Sequence, residues 1–565
     1  MALVVLALAC VFAAPSAAGR NTSDGGSELL AELSEGGTLA VSSAGIGGGA
    51  IDNTTCTTSG DPTANILIDC DKFPPNVPGP TDETPIVVDP ADPNHLLAGS
   101  NDYHLSFVGA TVAARVPTGF YVSSDGGTTW THGQIPMGNG ASGGNGDPSP
   151  VFDRKFGTAH MAQLSGGCGV LCGFIDVSVS NSSDGGFTWS NPVTVAHGQA
   201  AITPAAHAKF EDKEWLTADN YPDSPHYGRL YLTWTGFGLS GGAYLESPVM
   251  MAYSDNAGRT WSRPMEISGS SAALCTYQET GPANQCDEDQ FSVPVVLPDL
   301  DGVGPGKAGT VVVHFINEQN SSLWESASEF DDQILTVRST DGGATWSDPV
   351  FAASLEDGAR DYPVNVDGRL TQTGHQFRTQ SAQGMSVDEL TGDLYIFYAD
   401  NRDGTHDPAA GITPVTKTNV FLAKSTDGGV SWGSPIRVTT GEGDRWFPWA
   451  DARGGVVKVM YMDGSYDLPN RDQYGITLST STNGAATWGA AQQVSTALSD
   501  PDHSVWFRAK TADCYSCATF IGDYNGLTID SLNRTHMVWT DMRRTVTVPQ
   551  LSRTNKTEDV GYARR

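Results

Sequence analysis

One octapeptide pattern, S-x-D-x-G-x-T-W, recurs six times along the chain. The copies are SSDGGTTW (123–130), SSDGGFTW (182–189), SDNAGRTW (254–261), STDGGATW (339–346), STDGGVSW (425–432) and STNGAATW (481–488). The third position is held by Asp125, Asp184, Asn256, Asp341, Asp427 and Asn483, spaced 56 to 86 residues apart. A constant core with variable insertions marks a chain built from stacked copies of one unit. Each copy reads as a β-hairpin turn. The Asp or Asn side chain folds onto nearby backbone N–H groups. Gly supplies a positive φ without steric cost. The Trp opens the next strand and buries a large ring.

Composition agrees with an all-β chain. Gly accounts for 65 of 565 residues and charged side chains for 17%, and Gly is costly in helices whereas Glu, Lys and Arg favour them. Around each turn a longer unit of short alternating strands can be read. Units begin at DETPIVVD (82–89), DPSPVFD (147–153), DKEWLTAD (212–219), DQFSVPVVL (289–297), GMSVDELTGDLYIFYAD (384–400) and RWFPWAD (445–451). A seventh follows the last octapeptide: GDYNGLTID (522–530), RTHMVWTD (534–541) and DVGYAR (559–564), with no fourth strand before the chain ends. TLAVS (38–42) or ANILID (64–69) could supply that strand, so that the two termini close a ring and remove the exposed sheet edges. Seven blades are expected, six being the alternative.

The octapeptides are similar to the Asp-box, or bacterial-neuraminidase repeat. Over residues 82–565 the chain resembles the sialidase-like β-propeller superfamily. That resemblance implies a single propeller with the boxes on its outer rim, between the third and fourth strands of each blade, in a structural role.

The balance of 32 basic and 64 acidic residues, a formal charge of −32, argues against nucleic acid and against anionic membrane surfaces. Met1–Ala14 is a short apolar run followed by Ser16-Ala17-Ala18, which reads as a signal peptide over 1–18 and predicts a secreted protein. Residues 19–81, rich in Gly, Ser, Thr and Pro, read as an irregular extension. Cys10 would leave with the signal peptide. The other eight cysteines fall into local pairs, Cys56–Cys70, Cys168–Cys172, Cys275–Cys286 and Cys514–Cys517, expected as disulfides in an exported chain. Zinc or redox chemistry is the rival at Cys514-x-x-Cys517, but a structural zinc normally needs four ligands and no second C-x-x-C is present. Sequons at Asn21, Asn53, Asn181, Asn320, Asn533 and Asn555 fit a glycoprotein. No apolar run is long enough for a membrane span.

Asp82, Asp147, Asp212, Asp289, Asp444 and Asp523 stand near equivalent unit starts. They cap turns, line the central channel as a polar ring with a structural Ca²⁺, or take part in catalysis; no other cofactor is called for. The resemblance implies a sialidase constellation: three arginines clamping a substrate carboxylate, a Tyr nucleophile activated by a Glu, and an Asp as acid/base. On that pattern Asp147 is the acid/base, Tyr524 with Glu214 (or Glu318) the nucleophile pair, and Arg115, Arg378 and Arg445 the clamp. Arg115-Val116-Pro117 is the nearest match to the family's R-I-P. It stands five residues before Ser123, which places Arg115 on a third strand. Trp446 and Trp449 could form a glycan-stacking platform or pack between blades. Long segments at 401–418 and 542–558 would wall one face. Three functions remain open: an exo-α-sialidase-type glycoside hydrolase acting on extracellular glycans, a non-catalytic propeller binding glycans or proteins, and another polysaccharide hydrolase using paired carboxylates. Oligomeric state does not follow from the sequence.

Overall fold

Each repeated unit folds into an antiparallel meander whose side chains alternate between the two seams of a blade. The computed structural model describes residues 55–70 and 79–565 apart from 109–110, 116, 137–145, 168–173, 200–206, 241–242, 277–281, 300–307, 320–331, 359–360, 367–368, 380–383, 407–411, 507–519 and 550–551. Within these residues seven principal sheets follow one another, each running from an innermost to an outermost strand. Blade two is Gly146–Asp153, Thr158–Gly167, Phe174–Ser182 and Val193–Ala196. Blade three is His207–Ala218, Leu230–Ser240, Val249–Ser254 and Met265–Glu266. Blade four is Asp289–Val296, Val311–Asn317, Asp332–Ser339 and Val350–Leu355. Blade five is Met385–Val387, Leu394–Asp400, Asn419–Ser425 and Ile436–Arg437. Blade six is Arg445–Arg453, Val456–Asp463, Gly475–Ser481 and Gln492–Gln493. A 3₁₀ turn stands at Gly464–Asp467.

Blades one and seven carry the closure. Blade seven takes Gly526–Ile529, Thr535–Asp541 and Asp559–Arg564 from the C-terminus and Ile66–Leu67 from the N-terminal arm. Ile66 pairs with Tyr562 and Leu67 with Gly561, and the Ile68 N–H donates to the Val560 carbonyl at 2.9 Å. The arm's other strand, Cys56–Ser59, lies outside Thr129–Gln134 of blade one, and a Cys56–Cys70 disulfide ties its two ends. The segment 64–69 therefore does close a seven-bladed ring. The rival segment 38–42, the signal peptide and the pairs Cys168–Cys172 and Cys514–Cys517 lie outside the described residues. Cys275–Cys286 is a disulfide. No helix among the described residues is long and apolar enough to cross a membrane.

Seven hydrophobic clusters hold the ring, one at each seam. Ile68, Ile86, Tyr121 and Trp130 meet Val538 and Tyr562 between blades one and seven. Leu97 and Phe120 meet Phe152 and Met161 between one and two. The other five seams repeat the scheme. Each blade thus buries both faces, the condition under which sheets stack radially into a closed ring.

The six octapeptide turns share one hydrogen-bond pattern on the circumference. The Ser hydroxyl donates to the Asp or Asn Oδ1 at 2.8–3.1 Å and accepts from the N–H four residues on. The same Oδ1 accepts the N–H of the Thr or Ser before the Trp at 2.8–3.0 Å. Gly127 combines φ +88° with a neighbour so close that an added Cβ would overlap the Tyr562 hydroxyl of blade seven. Ala485 takes the equivalent place in the sixth turn at φ 68°, a left-handed conformation with a modest steric cost. Only Trp130 is fully buried inside its strand. The other five precede the fourth strand, half-buried. They still brace the ring, because they lean on the preceding blade: Trp189 on Phe120, Trp432 through its Nε1 on the Thr336 hydroxyl, and Trp488 on Phe397.

Two sequence readings change. Arg115 ends Thr111–Arg115, which pairs with His104–Val108 in a separate hairpin; the third strand of blade one is Thr118–Ser123. The segment 542–558, read as a loop, folds into the hairpin Thr545–Val548 and Arg553–Lys556. Both hairpins join second to third strands, so they stand on the face where the innermost strands begin.

Candidate active site at the propeller axis

The innermost strands enter the axis through a shared irregularity. In blades two, three, four and six the register slips at Gly146/Ser149, Asp212/Trp215, Gln290/Val293 and Trp446/Trp449. In blade one Thr81–Asp82 and Ile86–Asp89 are separate strands on one partner. At each of these places one non-Gly residue has a positive φ: Glu83 (53°), Asp147 (51°), Lys213 (55°), Phe291 (55°) and Phe447 (46°). Pro85, Pro148 and Pro448 follow closely, and proline cannot donate to a ladder, so bulges are where strands tolerate it. A bulge re-aims side chains, and a left-handed non-Gly residue costs about 1–3 kcal/mol. Five blades carry that strain at the same level.

Glu83, Asp147, Lys213, Glu214 and Tyr524 meet there. All are buried, with Tyr524 3% exposed. Neither carboxyl oxygen of Glu214 has a hydrogen-bond partner, nor has the Lys213 ammonium. Glu83 Oε2 accepts from Asn101 Nδ2 at 3.0 Å, while Oε1 is unpartnered. Asn101 also donates to Asp82 Oδ1 at 2.9 Å and accepts the Asp147 N–H at 2.8 Å, joining blades one and two. Tyr524 reaches from blade seven across to blade two, its hydroxyl 3.4 Å from the Pro148 carbonyl. Burial, reinforced by the Asp147 carboxylate, pushes the Glu214 carboxyl well above its usual range, and does the same at Glu83, with Lys213 pulling both the other way. Burial and the surrounding Glu83, Asp147, Glu214 and Asp523 hold the Tyr524 phenol well above its ordinary value. Burying unpaired acids is expensive, so the site is not what stability alone would select.

The sequence-selected residues thus divide. Asp147, Glu214 and Tyr524 are brought together. Glu318 follows the second strand of blade four with its N–H on the Glu288 carbonyl, so Glu214 is the glutamate facing Tyr524. Arg378 lies against Tyr524's neighbour Asp523, gripping it through Nε at 3.0 Å and through Nη2. Arg445 turns to Asp463, 3.4 Å away, and to the Gly443 carbonyl at 3.1 Å. The side chain of Arg115 is outside the described residues. Trp446 is 1% exposed and packs on Phe377 and Tyr474 in the seam of blades six and seven, offering no open face. Trp449 is on the axis, its ring 4.8 Å from Trp215 and 6.3 Å from Tyr524.

Of the six unit-start aspartates, Asp82 and Asp289 accept from Asn101 and Asn317, Asp444 from Thr418 N–H and Arg471, and Asp523 from Arg378. Among the described residues, Glu356, Asp361 and His406 bring potential metal-ligand atoms within 4.8 Å of one another, and Cys56, Cys70 and His132 do so around the disulfide. Neither group includes these aspartates. Glu83 and Lys213 were not selected from sequence. The signal was present as D-x-[TE] before an apolar strand, in TDETPIVVD (81–89) and EDKEWLTAD (211–219).

No family model matches the chain. A sialidase from Micromonospora viridifaciens is 31% identical over 153 residues, 25% of this chain and 22% of that protein, so the chain matches about a fifth of that relative's length. Among solved structures, a protein of unknown function from Dyadobacter fermentans aligns with a TM-score of 0.40 at 14% identity, covering 74% of this chain and 93% of its own. The NanB sialidase from Streptococcus pneumoniae aligns with a TM-score of 0.40 at 9% identity, over 91% and 97%. The chain resembles the sialidase-like β-propellers. Its seven-bladed ring stands on its own strand order.

Proposed function

We propose that the chain is a secreted glycoside hydrolase of the exo-α-sialidase type, acting on extracellular glycans or glycoproteins at the axial site. The observation that carries this reading is the convergence of Asp147, Glu214 and Tyr524 from three blades, with the Glu214 carboxyl oxygens buried and unpartnered. Asp147 protonates the leaving oxygen as the glycosidic C–O bond breaks. The Tyr524 oxygen, having given its proton to Glu214, bonds to the anomeric carbon. Asp147 then takes a proton from a water whose oxygen bonds to the anomeric carbon as the Tyr524 O–C bond breaks, and Glu214 returns its proton to the Tyr524 oxygen. The identity to a sialidase over 153 residues favours a sialoside.

A second reading is favoured by the arginines. Arg378 and Arg445 are already engaged by Asp523 and Asp463, which leaves them poorly placed to clamp a substrate carboxylate. On this reading Glu214, with the burial-raised affinity for its proton, is the acid, and Glu83 or Asp147 is the second carboxyl, acting on a neutral sugar. Release of fluorophore from an aryl α-sialoside, set beside a panel of neutral aryl glycosides, tests both. Sialoside turnover abolished by Tyr524→Phe supports the first reading. Turnover of a neutral glycoside that survives Tyr524→Phe but not Glu214→Gln supports the second. No turnover of any substrate overturns both in favour of a binding propeller.

A further inference from the structure

Lys213 is absent from the chemistry above, yet it occupies the centre of the site. Its ammonium is buried without an acceptor. It stands 3.4 Å from the centroid of the Tyr524 ring and 5.4 Å from that of Phe291. A lysine normally extends its stem and keeps its charge in water. Here the bulge, with φ 55°, turns the side chain inward. Beside the rings of Trp215 and Trp449, Tyr524 is surrounded by the carboxyls of Glu83, Asp147, Glu214 and Asp523, each of which opposes negative charge on it. Arg378 turns its guanidinium to Asp523 instead. Among the described residues, Lys213 is the cation that meets the Tyr524 face.

A cation over a phenol is held by the ring quadrupole, and over a phenolate also by the negative charge shared between the oxygen and the ring. The attraction therefore grows when the ring ionises. We propose that Lys213 is the positioning residue of the site, an ammonium fixed on the Tyr524 face that stabilises the negative charge its oxygen carries when it acts. The proton balance is simple: the Tyr524 O–H bond breaks, its electron pair stays on the phenolate oxygen, and the proton bonds to a carboxylate oxygen of the cluster. Lys213 supplies here the local positive charge that Arg378 and Arg445, tied to Asp523 and Asp463, do not. This inference rests on Tyr524 being the nucleophile.

The test needs no substrate. Phenolate absorbance of the full chain is titrated with alkali and the Tyr524→Phe curve subtracted, first in the wild-type background and then in Lys213→Met, Lys213→Gln and Lys213→Arg backgrounds. The Tyr524 midpoint is expected to rise by about one pH unit or more in the Met and Gln variants, the scale of losing an opposite charge at contact distance. It should stay near the wild-type value in the Arg variant, which keeps the cation. The two neutral variants guard against one of them failing to fold. Equal midpoints in wild type and the neutral variants overturn the proposal, as does a wild type with no Tyr524 component before unfolding. A shifted midpoint in a protein that releases no sialoside would retain the Lys213–Tyr524 coupling and remove the sialidase reading.

Discussion

The rim and the axis of this propeller use the same acidic side chains to opposite ends. On the rim, Asp341 accepts from the Ser339 hydroxyl, the Ala344 and Thr345 N–H groups and the Thr345 hydroxyl. Those bonds, led by the Thr345 hydroxyl, hold its carboxyl down to about 2. At the axis, Glu214 is buried with no partner for either oxygen, and its carboxyl is pushed far up. The rim acid stabilises a turn that braces the preceding blade. The axial acid is buried without a partner, which is expensive for the ring, and on the proposed function it is kept there to hold or give a proton. Sequence repetition follows the first role, since every blade needs its turn. It does not follow the second, since a ring has one axis.

The sharpest way to break this contrast is activity. Glu214→Gln and Asp147→Asn should each lower turnover of a responsive aryl glycoside by roughly 10²–10⁴-fold, whereas Asp341→Ala should leave it within about twofold, since no principle of general acid–base catalysis reaches that far. Comparable losses at rim and axis would erase the distinction. Next in size is the mechanical seam. Cys56→Ser with Cys70→Ser frees the arm that closes blade seven on blade one, and should cost about 3 kcal/mol in urea unfolding. An unchanged midpoint would mean that the ring closes without the clasp.

Titration sharpens the comparison further. Glu558, fully buried near the blade-one entry, has its carboxyl raised by burial to about 8. The folded state therefore keeps a proton that the unfolded chain releases near pH 4.5. Its contribution is complete below that value and is lost as pH rises toward 8. Glu558→Gln should flatten this decline, gaining more than about 1 kcal/mol at pH 8 relative to pH 5. The rim acts in the other direction and weakly. The lowered carboxyl of Asp341 contributes above the unfolded value near 4, and that contribution fades as pH falls toward 2. Solvent screening at so exposed a site limits Asp341→Ala to roughly 0.5–1 kcal/mol at pH 7, vanishing in acid.

Much of the fold was legible because the octapeptide does one local job six times. The strand starts, the C-terminal strand Asp559–Arg564 and the need for a borrowed N-terminal strand in blade seven follow from it; the choice of 64–69 over 38–42 does not. The site was legible in part. Asp147, Glu214 and Tyr524 stand next to the unit starts read from the sequence at 147, 212 and 522, where a resemblance could point. Glu83 and Lys213 sit inside the D-x-[TE] pattern, which marks the place, but it is the bulged, positive-φ backbone that turns them to the axis, and the pattern does not show that turn. The arginines misled for a related reason: the partners of Arg378 and Arg445 lie 145 residues away for Asp523 and on the next strand for Asp463. Trp446 and Trp449, three residues apart, part ways at the same bulge, one into a seam and one onto the axis.

On the proposed function the axial carboxyls are kept against the interest of the fold. Urea unfolding of Glu214→Gln at pH 7.5, beside the wild type, tests that claim most directly. The expected result is a higher midpoint with an unchanged slope, because a neutral amide of the same shape relieves the buried acid. A lower midpoint would mean that Glu214 is a bonded structural acid like those on the rim, and would contradict the account.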